Sequence, residues 1–570
     1  MKKLLTLIIV LVLLILLSSC LESFHLEIRM EINEDGQSYC VVENHGKFAA
    51  YESNLNIPST YNDLPVTRID TEAFYDVISI GTVSIPHTIE EIGERAFSKC
   101  TSLRYINVDE NNQYYSSIDG NLYSKDGTKL IQYACGKEES TFVLPSFVTD
   151  IESYAFFNCP NLKNIEVEEG NQHFKSIDGV LYSIDGDKLI YYPQSKTATS
   201  YNVIESVKYI ESYAFYNCAS ITSISIPKAT QVIGERVFER CANLKEVVFE
   251  NESELSELGQ YSFFFCESLV NIDIPDGVKE IGEFSFHTCS ALETVDFPSE
   301  LEYVGKYAFA WCKSLKSVNI PNKTTILDTW AFSECTSLHS VKLSETLEII
   351  GNGAFRNCTS LESIEIPSSL KEMGTAFSGC EKMTYNEYNN AFYLGNDSNP
   401  YHVLVFADNT IKECNISNKT VVIAADAFNN CFRLQEIDIP DSVVYIGNSA
   451  FYKCQLLKQI KLPSSITKIG YYSLGFCSSL KNIVIPDSVT SIEGCAFNDC
   501  TQLETVTIPK SVKRIRFNAF RDCENLKAIY FNGTIAEWNA IDKELGFEYN
   551  HWNKNTGEYK VYCSDGVVDK

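Results

Sequence analysis

The sequence predicts an elongated α/β solenoid that is rich in β-structure and built from 23-residue units. Three near copies of one segment begin at Ile274, Ile439 and Ile485, and they read IPDGVKEIGEFSFHTCSAL, IPDSVVYIGNSAFYKCQLL and IPDSVTSIEGCAFNDCTQL. A cysteine near the end of each copy recurs every 23 residues along most of the chain. A fixed period of this length, with apolar residues at set positions, is typical of coils that stack on their neighbours.

The repeated cysteine sets the register of the array. It occupies Cys100, Cys159, Cys218, Cys241, Cys266, Cys289, Cys312, Cys335, Cys358, Cys380, Cys431, Cys454, Cys477, Cys500 and Cys523. The first two steps are 59 residues each, which is one unit plus 36 further residues. Because a solenoid grows by adding turns, we expect about 17 turns in one domain instead of several globular domains.

The charge balance excludes two classes of partner. The chain of 570 residues carries a formal net charge of -28 and has a sequence pI near 4.8. Nucleic acids and anionic membrane surfaces both require a basic face on the protein. We therefore expect no nucleic-acid partner, and the acidic composition indicates first of all a soluble array.

The first twenty residues, MKKLLTLIIVLVLLILLSSC, have the features of an export signal. Two lysines precede an apolar run that is short for a membrane span, and small residues follow it. The ending Leu17-Ser-Ser-Cys20 resembles the bacterial lipobox, which implies cleavage before Cys20 and lipid attachment to its thiol. Membrane contact would then occur only through this anchor. An ordinary secretory signal and an uncleaved anchor are the alternatives.

Both ends of the array depart from the repeat, as the exposed ends of a solenoid require. Residues 21–70 contain a predicted hairpin that turns at Asp35-Gly36 and a degenerate first repeat, and we assign them to an N-terminal cap. The regular array is assigned to 71–531. Residues 532–570 contain Trp538 and Trp552 and form the predicted C-terminal cap.

Each regular unit contains two extended legs and a bend. The pattern L-x-x-I-x-I predicts a strand with Ile364 and Ile366 facing inward, and Pro367 closes it. A second leg has Val443 and Ile446 as its inward pair. The segment A-F-x-x-C predicts a short helical turn that places Phe and Cys on one face.

The phenylalanine of A-F-x-x-C forms the predicted spine of the core. It recurs in almost every unit, with Leu474 as the single replacement. A buried aromatic side chain covers about 150 to 250 Å², so this column should dominate the stability of the array. The glycine that precedes Ala-Phe is less strict, because Asp328, Ala424 and Arg516 also occupy that place, and a positive φ is therefore not required there.

Three segments interrupt the rhythm. Two are near copies, SIDGNLYSKDGTKLIQY from Ser117 and SIDGVLYSIDGDKLIYY from Ser176, and both predict β-hairpins that turn at Asp-Gly. The third, from Asn389, predicts a different hairpin-like insert. The sequence Asp185-Gly-Asp187 lacks the further ligands of a calcium loop, so no metal site is predicted.

The repeat I-P-x-S-V-x-x-I-G-x-x-A-F-x-x-C-x-x-L resembles the BspA-type leucine-rich repeat of bacterial surface proteins. The resemblance covers roughly residues 54–531, and it extends to the S-x-D-G-x-L-Y inserts and the EWNAI segment. It implies a right-handed leucine-rich-repeat superhelix at the cell surface that binds host or extracellular partners. The family has no binding motif that could be carried over residue by residue.

The sequence contains no catalytic or cofactor motif. Phosphate-binding glycine loops, nucleophile elbows and zinc-protease motifs are all missing, and no cofactor is expected. Fifteen of the 21 cysteines fall at one inward repeat position, where a thiol acts as a small hydrophobe. Disulfides between some neighbouring turns stay open as an alternative, because stacked strands lie within bridging distance. The column lacks the paired ligands of a zinc site.

The outward positions of the strands form the predicted binding surface. They are short, polar and mildly acidic, and the candidate ligand-binding residues are Asn271, Asp273, Thr294, Asp296, Asn319, Lys342, Glu365 and Asp438. The expected partner is an extracellular or host-surface protein or glycan. Two other hypotheses stay open: a passive surface or spacer protein, and a surface hydrolase near His402 or His551.

Overall fold

The computed structural model describes residues 28–42, 54–543 and 556–569. The predicted signal segment, Cys20, His551 and Trp552 lie outside these ranges. The chain divides into two compact units, Met1–Leu244 and Lys245–Lys570, and each is described by itself.

The first unit is composed of short strands. Their bounds are β1 Met30–Ile32, β2 Tyr39–Val41, β3 Asn54–Asn56, β4 Thr60–Tyr61, β5 Leu64–Ile69, β6 Thr82–Ile85, β7 Glu91–Ile92, β8 Tyr105–Val108, β9 Tyr115–Ile118, β10 Asn121–Ser124, β11 Lys129–Gln132, β12 Thr141–Leu144, β13 Asp150–Ile151, β14 Asn164–Val167, β15 Phe174–Ile177, β16 Val180–Ser183, β17 Lys188–Tyr191, β18 Ser200–Asn202, β19 Tyr209–Ile210, β20 Ser223–Ile226 and β21 Val232–Ile233.

Each coil of the first unit contributes one strand to each of two faces. First-leg strands pair in parallel as β3-β6-β8, β12-β14 and β18-β20, and second-leg strands pair in parallel as β2-β5-β7, β11-β13 and β17-β19-β21. The strands β1 and β2 form an antiparallel hairpin whose turn contains Asp35 and Gly36. The alternation of apolar and polar residues explains the first-leg strands, since inward side chains such as Val83 and Ile106 are fully buried.

The second unit continues this plan. Its strands are β22 Glu246–Phe249, β23 Glu257–Leu258, β24 Asn271–Asp273, β25 Glu280–Ile281, β26 Thr294–Asp296, β27 Tyr303–Val304, β28 Ser317–Asn319, β29 Ile326–Leu327, β30 Ser340–Lys342, β31 Ile349–Ile350, β32 Glu372–Met373, β33 Asn386–Tyr388, β34 Ala391–Leu394, β35 Val403–Ala407, β36 Glu413–Asn415, β37 Val422–Ile423, β38 Glu436–Asp438, β39 Tyr445–Ile446, β40 Lys468–Ile469, β41 Asn482–Val484, β42 Ser491–Ile492, β43 Thr505–Ile508, β44 Arg514–Ile515, β45 Ala528–Phe531, β46 Asp542–Lys543, β47 Lys560–Cys563 and β48 Gly566–Asp569.

The two faces of the second unit are again parallel ladders. First-leg strands pair as β24-β26, β28-β30, β36-β38 and β41-β43-β45-β47, and β48 adds to β47 in the antiparallel sense. Second-leg strands pair as β25-β27-β29-β31-β32, β35-β37-β39 and β40-β42-β44-β46. The ladders extend into 532–570 through β46 and β47, while the role of that segment as a cap stays a prediction.

The three inserts each end in a second-leg strand. Antiparallel strands β9-β10-β11, β15-β16-β17 and β33-β34-β35 occupy them, and β11, β17 and β35 then pair in parallel with the next coil. Each insert therefore adds a coil that the cysteine spacing does not reveal. The described residues hold eight second-leg strands in the first unit and thirteen in the second, which makes about 21 turns and corrects the expected 17.

The predicted helical turn at Ala-Phe-x-x-Cys is not confirmed, and the fold is a β-solenoid with almost no helix instead of an α/β solenoid. The residues before Ala and before Cys are left-handed, as at Tyr307 (φ 54°) and Trp311 (φ 65°). Backbone amides consequently donate to the next coil, Tyr307 N–H to Thr329 C=O at 3.0 Å and Phe309 N–H to Ala331 C=O at 2.7 Å. An α-helix would require these amides to bond within their own turn.

The one α-helix among the described residues is α1, Ile535–Asn539. The Thr534 hydroxyl oxygen accepts from the Glu537 N–H, and the Glu537 carboxylate accepts from the Thr534 N–H, which completes a capping box. Trp538 on this helix is buried, with its ring 5.4 Å from that of Phe531. Within the described ranges, no helix combines the length and the apolar character that crossing a bilayer requires.

The predicted phenylalanine column is confirmed. Its members are buried, and neighbouring rings stack with their planes nearly parallel, as between Phe286 and Phe309 (centroids 4.9 Å apart, 4°) and between Phe309 and Phe332 (5.2 Å, 4°). Leu474 is buried at the same place. The rings therefore continue the core from coil to coil within each unit.

The cysteine column lies beside the rings and consists almost entirely of free, buried thiols. The Sγ of Cys312 donates to the carbonyl of Phe286 and that of Cys335 to the carbonyl of Phe309, each at 3.2 Å. Burial raises the pKa of both thiols above the ordinary value. One disulfide joins Cys135 of the first insert to Cys159 of the column, whereas the bridge left open between two column cysteines is not found among the described residues.

Candidate functional site

The eight predicted ligand-binding residues lie in the second unit, and all are exposed. The ladder places Asn271 opposite Thr294 and Asp273 opposite Asp296. It also places Asn319 opposite Lys342. Glu365 follows on the next coil, and Asp438 lies in β38. We call this surface, formed by the outward residues of the first-leg strands, the strand face.

Alternation within each strand fixes the outward direction of these side chains. Ile272, between Asn271 and Asp273, is 3 % exposed, and Val318 beside Asn319 is also 3 % exposed. Because successive side chains of a strand point to opposite faces, burial of the central residue forces its neighbours outward. Packing therefore specifies the inward positions, whereas solvent and any partner act on the outward ones.

The carboxylates of the strand face differ from those acids of the array that form ion pairs with the neighbouring coil. Just before the strands, Glu293 pairs with Lys316 and Glu348 pairs with Lys371 at 2.5 Å, each across one coil. In the described part of the chain, Asp273, Asp296, Glu365 and Asp438 form no ion pair. Moreover, Asp273 and Asp296 are directly opposite each other, which is an unfavourable arrangement of like charges in a sheet.

The strand face includes a coil, that of β36, which the repeat pattern did not predict. Strand β36 pairs with β38, so Glu413 lies opposite Glu436 and Asn415 lies opposite Asp438. This coil has Cys414 at the inward strand position and lacks the closing proline. A signal was nevertheless present, because Ile411, Cys414 and Ile416 match L-x-x-I-x-I when cysteine is read as an apolar residue.

Near the C-terminal end of the second unit, the strand face is less polar. The ladder aligns Val484, Thr507, Tyr530 and Tyr562, and the Tyr530 and Tyr562 rings stack 5.4 Å apart. Val484 is 64 % exposed. The strand face therefore changes from acidic to partly apolar along its length.

The inserts border two cavities away from the strand face. In the first unit, a cavity of about 310 Å³ has Phe156, Tyr191 and Tyr213 among its lining residues. In the second unit, a cavity of about 410 Å³ lies against the third insert, with Tyr385 and Phe406 in its wall. Burial raises the pKa of Tyr385 to about 12, so its hydroxyl stays protonated at neutral pH.

The geometry around His402 does not assemble a hydrolase site. His402 is 3 % exposed, and its Nε2 lies 3.0 Å from the carbonyl oxygen of Leu370, a contact that ties the insert to the preceding coil. His551 lies outside the described residues. Across 28–42, 54–543 and 556–569, no three His, Cys, Asp or Glu side chains gather as metal ligands. The Asp185 carboxylate instead accepts a 2.7 Å bond from the Ser183 hydroxyl, which with the Asp187 N–H holds the pKa of Asp185 below its ordinary value.

Comparison with protein families gives one match. The family model described as a BspA type leucine-rich repeat region matches residues 46–176, 191–313, 256–384 and 403–535, which together cover most of the chain. A comparison with curated proteins finds no match.

Comparison with solved structures gives several similar proteins. A leucine-rich cell surface protein of Faecalibacterium prausnitzii A2-165 is 21% identical, with 91% of this chain and 97% of that chain covered and a TM-score of 0.28. A leucine-rich repeat protein of Eubacterium ventriosum is 18% identical, with 64% and 95% covered and a TM-score of 0.39. The pneumococcal vaccine antigen PcpA is 20% identical, with 62% and 83% covered and a TM-score of 0.30. None of these matches indicates an enzyme family.

Proposed function

The chain belongs to the BspA-type leucine-rich-repeat family, and from this premise we propose that it is an exported surface protein that binds an extracellular protein or glycan through its strand face. Binding through this surface involves no catalytic step. The rigid ladder holds the outward side chains in place before a partner arrives, which lowers the entropy cost of association.

The unpaired carboxylates of the strand face are the observation that carries this proposal. Asp273 and Asp296 face each other in the ladder, and Glu365 and Asp438 extend the acidic surface, with Lys342 as the cation among the candidate residues. A sheet gains nothing from this arrangement by itself. A basic or polar partner would neutralise it, and the association should weaken as salt screens the charges.

Export and membrane anchoring form a second part of the proposal, which rests on residues 1–20. We infer that Cys20 carries lipid after cleavage of the signal, so that the array is held at the cell surface. Metabolic labelling with a palmitate analogue should mark the wild-type chain and should fail to mark Cys20→Ala. Equal labelling of both chains would contradict lipid attachment at this position.

Charge reversal tests the strand face directly. A variant with Asp273, Asp296, Glu365 and Asp438 changed to Lys is compared with the wild type in a pull-down from host matrix and surface extracts. We expect at least a tenfold loss of capture, because each lysine repels a basic partner. We also expect wild-type capture to fall between 0.05 M and 0.5 M salt, conditions in which the screening length shrinks from roughly 14 Å to roughly 4 Å.

A matched control separates the strand face from net charge. Four exposed acids elsewhere in the second unit, Glu267, Glu280, Glu381 and Glu524, are changed to Lys, which alters the net charge equally. This control should retain capture. Equal capture by all forms would show that the strand face is not the binding surface, and no capture by any form would favour the passive spacer.

A further inference from the structure

The first-leg ladder of the second unit opens beside β30. On one side β30 pairs with β28, which places Ser317 opposite Ser340 and Asn319 opposite Lys342. On its other side the equivalent segment 361–367 of the next coil is not part of any strand. Val341, the central residue of β30, is correspondingly half-buried, whereas Val318 of β28 is 3 % exposed.

Intact pairs of first-leg strands share two backbone hydrogen bonds at their ends. Between β28 and β30, the N–H of Ile320 donates to the carbonyl of Lys342 at 2.8 Å, and the N–H of His339 donates to the carbonyl of Lys316 at 3.0 Å. These bonds close each strand against the next. They satisfy the backbone groups that point along the array.

Neither bond has an equivalent on the open side of β30. At the matching positions of the described chain, no hydrogen bond joins the N–H of Leu343 to the carbonyl of Glu365, or the N–H of Glu362 to the carbonyl of His339. Leu343 is 7 % exposed and lines the opening, and its N–H has no partner among the backbone hydrogen bonds of the described residues. Unpaired backbone donors and acceptors of this kind are unfavourable, and a partner that supplies bonds to them would be stabilised.

The segment beyond the opening is held from its other side by the third insert. The N–H of Ile366 donates to the carbonyl of Gly395 at 2.9 Å, and Asn396 Nδ2 donates to the carbonyl of Ile366 at 2.8 Å. The insert thus takes the place of the next first-leg strand. Both backbone groups of Ile366 therefore point to the insert and not to β30.

A cavity of about 580 Å³ occupies the opening. Its walls include Val341 and Lys342 on one side, Ser363 and Glu365 on the other, and Asn396 of the insert. We call it the slot. Lys342 and Glu365 lie at its mouth on the strand face, and they carry opposite charges.

We propose that the slot binds an extended peptide segment of a protein partner, which adds as a strand beside β30. The inference rests on the proposed function in taking the strand face as the binding surface, and it selects protein over glycan. At ~3.3 Å per residue, a strand as long as β30 corresponds to about three or four residues. The central residue of that segment would face Val341 and Ile364 and should be apolar, and its neighbours would face outward and should be polar.

Hydrogen exchange of the full chain tests whether the slot exists. Exchange of the Leu343 and Glu362 amides should be at least tenfold faster than exchange of Ile320 and His339, whose amides are bonded in the intact pair. Equal protection of the two sets would show that the ladder is closed at this point and would overturn the proposal.

A peptide probe tests the occupant. The probe is an acetylated heptapeptide, LKSVNIP, that copies residues 315–321, since this first-leg sequence has the required polar and apolar alternation. It should slow exchange at Leu343 and Glu362 at least tenfold. The same peptide with an N-methyl group on the valine nitrogen loses a backbone donor while keeping its side chains, and it should have no effect.

The outcomes separate this inference from the proposed function. Equal protection by both peptides, or protection by neither, would overturn strand addition. Loss of capture in the charge-reversal variant would still support the strand face in either case. Conversely, protection by the unmodified peptide alone, together with unchanged capture by that variant, would support the slot and contradict the acidic surface as the partner's contact.

Discussion

For the repeated cysteine of the array, the sequence predicts burial and the structure supplies the hydrogen-bond partner. Spacing alone predicts an inward column, because the residue recurs beside a buried ring. The structure adds a hydrogen bond from most thiols of the column to a carbonyl of the preceding coil, as from Cys100 to Phe74 at 3.1 Å and from Cys500 to Leu474 at 3.2 Å. A one-dimensional pattern does not contain this contact, because it depends on which backbone group the neighbouring turn presents.

The buried thiols should make the fold sensitive to alkaline pH. Burial raises the pKa of Cys100 and Cys500 to about 12, from an ordinary value of 9.0. In the unfolded chain these thiols ionise from pH 9 upward, whereas in the folded chain they stay neutral. Their contribution to stability is therefore complete below pH 9 and is lost between pH 9 and 12, at about 1.4 kcal/mol per pH unit for each thiol.

Urea unfolding at pH 8, 9 and 10 measures this effect. The unfolding free energy should be nearly constant from pH 8 to 9 and should fall from pH 9 to 10. The variant Cys500→Ala should show a shallower fall, since one ionising group has been removed. A free energy that does not change across this range would contradict the assignment of these thiols as buried and neutral.

At the scale of the element, the extended legs could be predicted from the sequence, whereas the conformation of the Ala-Phe-x-x-Cys turn could not. Period-two alternation reports which side chains are inward, so Ile364 and Ile366 are buried as predicted. The strand predicted for these two residues is not formed, because segment 361–367 lacks a paired neighbour on its β30 side. The spacing of Phe and Cys is equally compatible with a helical turn and with the observed turn, which is bounded by left-handed residues. The difference depends on whether an amide bonds within its turn or to the next coil, and the residue pattern carries no signal for that choice.

The glycine before Ala-Phe is explained by the close approach of neighbouring coils and not by its own φ. A Cβ on Gly351 would lie 2.4 Å from the backbone nitrogen of Thr329, whereas a Cβ on Gly282 would have its nearest contact at 3.2 Å, with Gln260. We expect Gly351→Ala to destabilise the chain by about 1 to 3 kcal/mol, as overpacking does, and Gly282→Ala to cost less. Urea unfolding of the two variants makes the comparison, and equal costs would contradict this explanation.

For the whole molecule, the family and the outward position of the candidate residues could be inferred from the sequence, whereas the coil count and the slot could not. The inserts hide coils from the cysteine spacing, since their second-leg strands, such as β35, lack the repeat pattern. The slot depends on a break in pairing between β30 and segment 361–367, whose sequences both follow the repeat. Its position therefore becomes visible only when the hydrogen bonds around β30 are known.

Each coil contacts mainly its neighbours, so a destabilising substitution in one coil should affect mainly the adjacent coils of its unit. In Phe309→Ala, a fully buried ring between Phe286 and Phe332 is removed, and we expect a loss of about 3 to 5 kcal/mol. Hydrogen exchange should rise in residues 286–332 more than in 497–520. The control Phe432→Ala removes a ring that is 47 % exposed and should cause little change in either region. An equal rise in both regions would show that the second unit opens as one block.

The regular offset between a column thiol and its carbonyl acceptor limits how the gene can gain or lose repeats. Within the regular runs the two residues are 26 positions apart, as for Cys312 and Phe286 and for Cys335 and Phe309. Recombination between near-identical repeats that deletes or duplicates one whole 23-residue period rejoins equivalent positions, and every thiol still finds a carbonyl. Other changes of length are tolerated only where a turn absorbs them, as in the 22-residue step from Cys358 to Cys380, whose thiol still reaches the carbonyl of Phe355. Descendants of one ancestral gene should therefore differ in length by whole periods, which lets selection change the extent of the strand face without redesigning a coil.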